Sequence, residues 1–362
     1  MDHMKEMRVL ESIREEMSSI PGHLGFYYKN LATGYEFGVR EDEAFSAASV
    51  IKLPLFMHVL RESAAGRMSM DEKLVVTEED KVPICGALTL FTGPVEADVR
   101  TLCRLMISIS DNTATNKLIR HSTIPGAMQG FREMGLERTE LQRCLFDSTA
   151  SKAGLRNVIC PKEMGMLLEK LYRGEFVSPE VSKEAMDVLL LQQVDHKLNG
   201  KICGEVAIAH KTGEDDELSN DVGVVLAEEP FVVCFVGHDT DVYRWEDLMR
   251  RGTYELLKAQ ENEIREFILD GERFDDMEGF YQEIDRLLTK DLPWETGHNL
   301  DAFNDLLRGG FGVHEYGEPI RIKWIHHGKS RRDLGEEMIG ILKEIILDSD
   351  GTGHNCQLEL CE

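Results

Sequence analysis

Three short polar clusters stand out in this chain of 362 residues: Ser49-Val50-Ile51-Lys52, Ser110-Asp111-Asn112 and Lys211-Thr212-Gly213, with 61 and 101 residues between their starts. A serine and a lysine three residues apart on a helix share one face. Placed at a helix start, Ser49 would lie where backbone N–H groups point outward. An amine held near other cations and away from water loses basicity, so Lys52 can take the serine proton. Ser110 adds a hydroxyl able to pass a proton to a leaving amine, and Asn112 an amide to position Lys52 and a substrate carbonyl. Lys211 and Thr212 suit a substrate carboxylate. Gly213 lets a strand edge approach a ligand closely, and the backbone N–H of Glu214 could join that of Ser49 as an oxyanion hole.

The remaining composition narrows the chemistry. The 12 histidines and 8 cysteines contain no HExxH or CxxC spacing, so neither a metal nor a cofactor is expected. The charged start, Met1 to Arg8, precedes no apolar stretch of signal-peptide length, and no run reaches a membrane span of about 18 residues. A cytoplasmic protein with reduced core thiols is the expectation. The formal net charge is −25, which disfavours nucleic acid and anionic membranes as partners. Residues 1–260 hold 42 acidic and 30 basic side chains, whereas 261–362 hold 24 and 11. That asymmetry suggests two modules with different partners.

The elements that must position these groups follow an α+β order. Apolar spacing over 4–18 predicts a helix, and 24–28 with 35–39 reads as a hairpin. A largely helical region follows from about 48 to 195. Strands are expected at 205–209, 221–226 and 231–236, then a helix over 242–260. This predicts a mostly antiparallel sheet with the chain-end helices on one face and a helical subdomain. After a polar stretch near 258–264, a small α/β module is expected. It has strands at 267–271, 319–325 and 356–361, helices over 277–289, 299–308 and 334–347, and a loop at Pro293.

The three clusters, read in context, carry a resemblance. Phe45 to Pro54, Ile109 to Asn116, His210 to Glu214 and Asn220 to Gly223 resemble class A β-lactamase-type serine hydrolases over residues 1–260. The resemblance implies a β-lactamase/transpeptidase-like fold. It also implies acyl transfer to Ser49, with Lys52 as base, Ser110 as proton relay, and Asn112, Lys211, Thr212, Gly213 and Glu214 binding substrate. Such enzymes carry an Arg-x-Glu-x-x-Leu-Asn loop whose glutamate activates the deacylating water. Here Arg138-Thr139-Glu140 matches in spacing, but Cys144 stands where Asn should be and the Leu is displaced. Glu140 is the implied base, with Asp147 a less fitting substitute.

Residues 264–362 resemble barstar, the intracellular inhibitor of barnase-type ribonucleases. The resemblance rests on Phe267 to Glu272, Gly297 to Leu307 and Glu318 to Trp324. It implies that Asp301 and Asp305, four apart on one helical face, meet a basic ribonuclease. Asn304 stands where an aromatic is usual, and Glu295 and Thr296 replace the aromatics before the glycine. The expectation is therefore a serine hydrolase acting on carboxylate-bearing β-lactam-like or peptide substrates, joined to a ribonuclease-binding module. Two alternatives stay open: a non-catalytic interaction or immunity protein, and a cytosolic peptidase or esterase that ignores β-lactams.

Overall fold

A computed structural model describes residues 3–260, 264–289, 292, 296–348, 351, 353, 354 and 356–362. The expected loop at Pro293, the Glu295 departure and the residues 261–263 of the polar stretch lie outside them. The chain forms two compact units, Met1–Glu261 and Asn262–Glu362.

The first unit opens with α1 (His3–Met17) and the hairpin β1 (His23–Asn30) and β2 (Glu36–Val39). A short β3 (Phe45–Ser46) leads through a 3₁₀ turn (Ala48–Ile51) into α2 (Lys52–Ala64). The hairpin β4 (Lys73–Val76) and β5 (Val95–Asp98) precedes α3 (Val99–Ser108), α4 (Asn112–Ser122) and α5 (Ile124–Glu133). Next come α6 (Ser148–Lys152), β6 (Val158–Ile159), α7 (Pro161–Tyr172) and α8 (Pro179–Leu189). Strands β7 (Ile208–Asp215), β8 (Leu218–Val225) and β9 (Phe231–His238) and helix α9 (Val242–Lys258) close the unit. Its main sheet has the order β2-β1-β9-β8-β7, antiparallel throughout.

The sheet is covered on both faces, and its central strand β9 accordingly reads as a nearly continuous apolar run. Side chains alternate with period two. Tyr27, Val222, Val224, Val232, Cys234 and Val236 join the core shared with the helical subdomain. Phe26, Tyr28, Phe231, Val233 and Phe235 meet Leu10, Ile13 and Met17 of α1 and Trp245, Leu248 and Met249 of α9. The chain-end helices thus cover one face, as the pattern implies, and the helical subdomain the other.

The second unit has a parallel sheet, β10 (Arg265–Asp270), β11 (Ile320–Ile325) and β12 (Cys356–Leu360), in that order. Its helices are α10 (Met277–Leu288), α11 (Leu300–Arg308), α12 (His327–Leu334) and α13 (Glu336–Ile346). Phe280 lies edge-on to Phe303 at 5.3 Å and packs 6.0 Å from Trp324, at the centre of the core.

Several sequence expectations need correction. The strand expected at 205–209 begins at Ile208 and runs on to Asp215. Its polar residues hid it, because β7 is the sheet edge and carries Lys211 and Thr212. The segment 48–195 also holds the β4–β5 hairpin and β6. The helix expected over 334–347 spans Glu336–Ile346, and a second, unexpected helix precedes it at His327–Leu334, the two separated by Gly335 with φ 84°. The first of them, α12, buries only His327 and Ser330 and so shows no apolar stripe. Of the expected core thiols only Cys103, Cys160 and Cys234 are buried; Cys85 and Cys203 are exposed.

Gly25 on β1 faces Phe45, the residue that leads into the Ser49 turn. A Cβ there would sit 2.4 Å from the Phe45 ring. Overpacking of this kind costs about 1–3 kcal/mol, so Gly25→Ala should lower the first unit's unfolding free energy by that amount in urea melts. An unchanged midpoint would show that Phe45 has room to move.

Candidate active site

Ser49 lies in the 3₁₀ turn and Lys52 is the first residue of α2. That turn is fixed from two sides. Asn220, in the middle of the sheet, donates from Nδ2 to the carbonyls of Ser46 (2.9 Å) and Ala47 (3.2 Å). Its Oδ1 accepts from Gly237 N–H. From the opposite side, Ala47 N–H donates to the Asn157 carbonyl at 3.0 Å. Gly213 brings the β7 edge close to the same turn. A Cβ there would lie 3.0 Å from Ala47 O and 3.1 Å from Ser49 N.

Ser110 joins α3 to α4 with a left-handed φ of 56°. This turn aims both its carbonyl and its hydroxyl at Lys52. Asp111 caps α4 by accepting from Ala114 N–H, and its other oxygen accepts from Leu88 N–H, both at 2.9 Å. Asn112 donates to the Ile84 carbonyl at 2.7 Å and so presents its Oδ1 inward.

Lys52 Nζ is consequently surrounded by four oxygens: Ser49 Oγ (2.9 Å), Ser110 O (2.8 Å), Ser110 Oγ (2.9 Å) and Asn112 Oδ1 (2.7 Å). All are neutral groups, and the residue is fully buried. Burial, followed by the charge of Lys211, holds Lys52 well below the usual lysine range. The Ser110 carbonyl and Asn112 Oδ1 only accept, so they take the two protons of a neutral amine. The nitrogen lone pair is left for the Ser49 hydroxyl.

Lys211 Nζ donates to Ser110 Oγ at 3.2 Å and to the Thr212 carbonyl at 2.8 Å. Burial pushes it down to about 7, against the pull of Asp221. Thr212 and Gly213 follow on the same edge strand. Glu214 is exposed, and its carboxylate lies 3.1 Å from the buried Lys197. Ser49, Lys52, Ser110, Asn112, Lys211, Thr212 and Gly213 are thus brought together.

Glu140 stands at one remove. Its backbone pairs with Val158, and Val158 pairs with Ser46. Its carboxylate accepts from Gln142 Nε2, and among the described residues no hydrogen bond joins it to Ser49 or Lys52. In the second unit, Asp301 is exposed in the first turn of α11, and Asp305 accepts from Arg308 at 2.8 Å.

Sequence reasoning gave no role to several supporting residues. Asn220 and Asp221 stand inside the fully buried strand β8, a signal of buried polar work. His210 contacts Asp221 at 2.9 Å and Asp195 at 3.3 Å. Burial opposes its charge, but the two carboxylates outweigh that and raise it to about 9. Lys197 donates to the Gly213 carbonyl at 3.2 Å and backs the strand. Glu163 accepts from the backbone N–H groups of Glu137, Arg138 and Thr139, and Asn157 from those of Gln142 and Arg143. Together they shape the Glu140 loop. Neither Lys197 nor Glu163 carries a local signal.

Comparison with known proteins identifies the family and the fold. The sequence model of the β-lactamase enzyme family matches residues 8–254, and that of barstar, the barnase inhibitor, matches 264–360. A β-lactamase of Rhodobacter capsulatus is 28% identical over 239 residues, spanning 64% of this chain and 80% of that protein. A β-lactamase structure from Sphaerobacter thermophilus shares the fold with a TM-score of 0.63 at 24% identity, covering 72% of this chain and 98% of its own. A mutant of PBP-A, solved as an acyl-enzyme complex with penicillin G, superposes with a TM-score of 0.64 at 27% identity, covering 70% and 96%. The chain belongs to the β-lactamase enzyme family, with a serine β-lactamase-like N-terminal domain followed by a barstar-like domain.

Proposed function

We propose that the N-terminal unit is a class A-type active-site serine hydrolase, acylated at Ser49 by β-lactams or related amides and esters. One observation carries this reading: a fully buried Lys52 amine 2.9 Å from Ser49 Oγ, among neutral oxygens. Ser49 Oγ attacks the substrate carbonyl while its proton passes to Lys52. The oxyanion is received by the backbone N–H groups of Ser49 and Glu214. As the C–N or C–O bond breaks, Ser110 delivers a proton to the leaving atom and is resupplied from Lys52. Lys211 and Thr212 hold the substrate carboxylate, and Asn112 the carbonyl side. Water then cleaves the acyl ester, with Glu140 as its base. A cytosolic peptidase or esterase role uses the same steps. Buried unpaired thiols suit a reducing compartment, and we place the protein in the cytoplasm.

We assign the barstar-like unit to capture of a basic ribonuclease. The exposed Asp301 supports this, whereas the Arg308 pair reduces what Asp305 offers to a partner.

Four outcomes test these readings. Fluorescent penicillin should label the chain covalently, and Ser49→Ala should abolish labelling; persistent label in that variant removes Ser49 as nucleophile. In the same assay, Glu140→Gln should slow loss of label at least about tenfold at unchanged acylation, and an unchanged lifetime excludes Glu140 as the base.

The Lys211 charge gives a pH signature. Below about 7 its ammonium holds a carboxylate, and above that value the charge is lost. The ratio of kcat/KM for a carboxylate-bearing substrate to that for its neutral ester should therefore fall as pH rises from 6 to 8.5, by up to about tenfold per unit. Lys211→Arg should flatten the ratio; a flat ratio in the unsubstituted protein sinks the anchor assignment.

In a pulldown, a basic ribonuclease of the barnase type should be retained and Asp301→Ala should weaken retention. Equal retention by both proteins would take the partner elsewhere.

A further inference from the structure

Lys197 is fully buried and takes no part in the proton transfers at Ser49. Its ammonium donates to the Gly213 carbonyl at 3.2 Å and to the Asn220 carbonyl at 3.3 Å. Gly213 and Asn220 are register partners on β7 and β8. One ammonium reaches both oxygens only if the Gly213 carbonyl points inward, between the two strands. The same peptide unit carries the Glu214 N–H. In a planar trans peptide the C=O and the N–H point in opposite directions. The Glu214 N–H therefore points away from β8, out over the free edge of the sheet, since β7 is its last strand. That stretch of edge borders the Ser49 turn, because a Cβ on Gly213 would lie 3.1 Å from Ser49 N. One peptide thus has a buried cation on its oxygen and the oxyanion position at its N–H.

The electrostatic consequence is directional. A cation on a carbonyl oxygen polarises the peptide and makes its N–H a stronger donor. The ammonium also stands in line with the developing negative charge, roughly 8 Å away by one peptide and one further hydrogen bond. The neighbouring charges do not cancel this field. Glu214 Oε1 is 3.1 Å from the ammonium, but its side chain is half exposed and water screens it. Glu246 stands at 3.9 Å and is shared with Ser219, His196 and Arg250. The charge of Lys197 is felt on the substrate side of the strand as well: together with burial it lowers the proton affinity of Lys211.

We propose that Lys197 is a positioning residue for the oxyanion hole: through the Gly213–Glu214 peptide it turns the Glu214 N–H toward the reacting carbonyl and strengthens it as a donor. The assignment rests on the hydrolase reading and adds to it a residue that never touches substrate.

The penicillin acyl-enzyme of the full chain tests it, because its ester carbonyl lies where the oxyanion forms. The carbonyl stretching band, read by isotope-edited infrared difference spectroscopy, falls in frequency as the donors of the hole strengthen. Lys197→Met keeps most of the side chain's bulk and removes its charge. It should move the band to higher frequency and lower the acylation rate constant about tenfold, with pre-acylation binding changed less than about twofold. Glu214→Gln keeps the backbone donor and removes the carboxylate beside Lys197, so it should move the band to lower frequency. A role confined to strand packing leaves the band where it is in every folded variant. An unmoved band in Lys197→Met with unchanged circular dichroism overturns the proposal. Should that variant fail to fold, a band in Glu214→Gln that stays in place or moves upward overturns it. Failure of the unsubstituted chain to form any penicillin acyl-enzyme is a separate result, which removes the hydrolase reading and this assignment with it.

Discussion

A lysine amine taken out of water with only neutral oxygens around it is the constraint on which the catalytic unit rests. Burying an ammonium without a counter-charge costs several kcal/mol after relaxation, and the group answers by giving up its proton. Lys52 is buried with Ser49, Ser110 and Asn112 as its partners, and that burial holds its proton affinity well below the usual lysine range. Lys211 sharpens the effect, because both amines contact the Ser110 hydroxyl and two full positive charges there would repel. The left-handed turn at Ser110 and the Asp111 cap have local functions, but both also keep this oxygen cage closed. A carboxylate in place of Asn112 would put a counter-charge beside Lys52 and favour its ammonium form.

The rest of the fold supplies rigidity at the points where that cage meets the nucleophile. The five-stranded sheet is packed on both faces, so its register is fixed by two alternating apolar sets. Asn220 uses that stability: its amide reads the register of β8 against β9 through Gly237 and transmits it to the carbonyls before Ser49. His210, Asp221, Asp195 and Lys197 form a charged layer behind β7. That layer holds the edge strand in place without entering the site.

How much of this was legible depended on whether the signal was local. The pairing of Ser49 with Lys52 is a matter of helical spacing, and the sheet's apolar strands announce themselves by composition. The partners of the site are otherwise. Asn157, Glu163 and Lys197 act across 16 to 110 residues of sequence through hydrogen bonds with distant backbone groups, and no period or motif marks them. Strand β7 was read too short because its second half is built from residues that serve the site. Helix α12 was missed because it buries almost nothing apolar. Where a residue's job is packing, the pattern showed it; where the job is a long-range hydrogen bond, only the folded chain does.

The cage also has a mechanical reading. The Ser49 turn is tied by Asn220 to the sheet, and Lys211 travels with the sheet. Ser110 and Asn112 belong to the helical lobe. The site is therefore a seam between two bodies, and the Ser110 hydroxyl, touched by both Lys52 and Lys211, is one of the contacts that close it. A shear between sheet and lobe would change those two distances. The reactivity of Ser49 is in that sense a strain gauge for the domain that carries it.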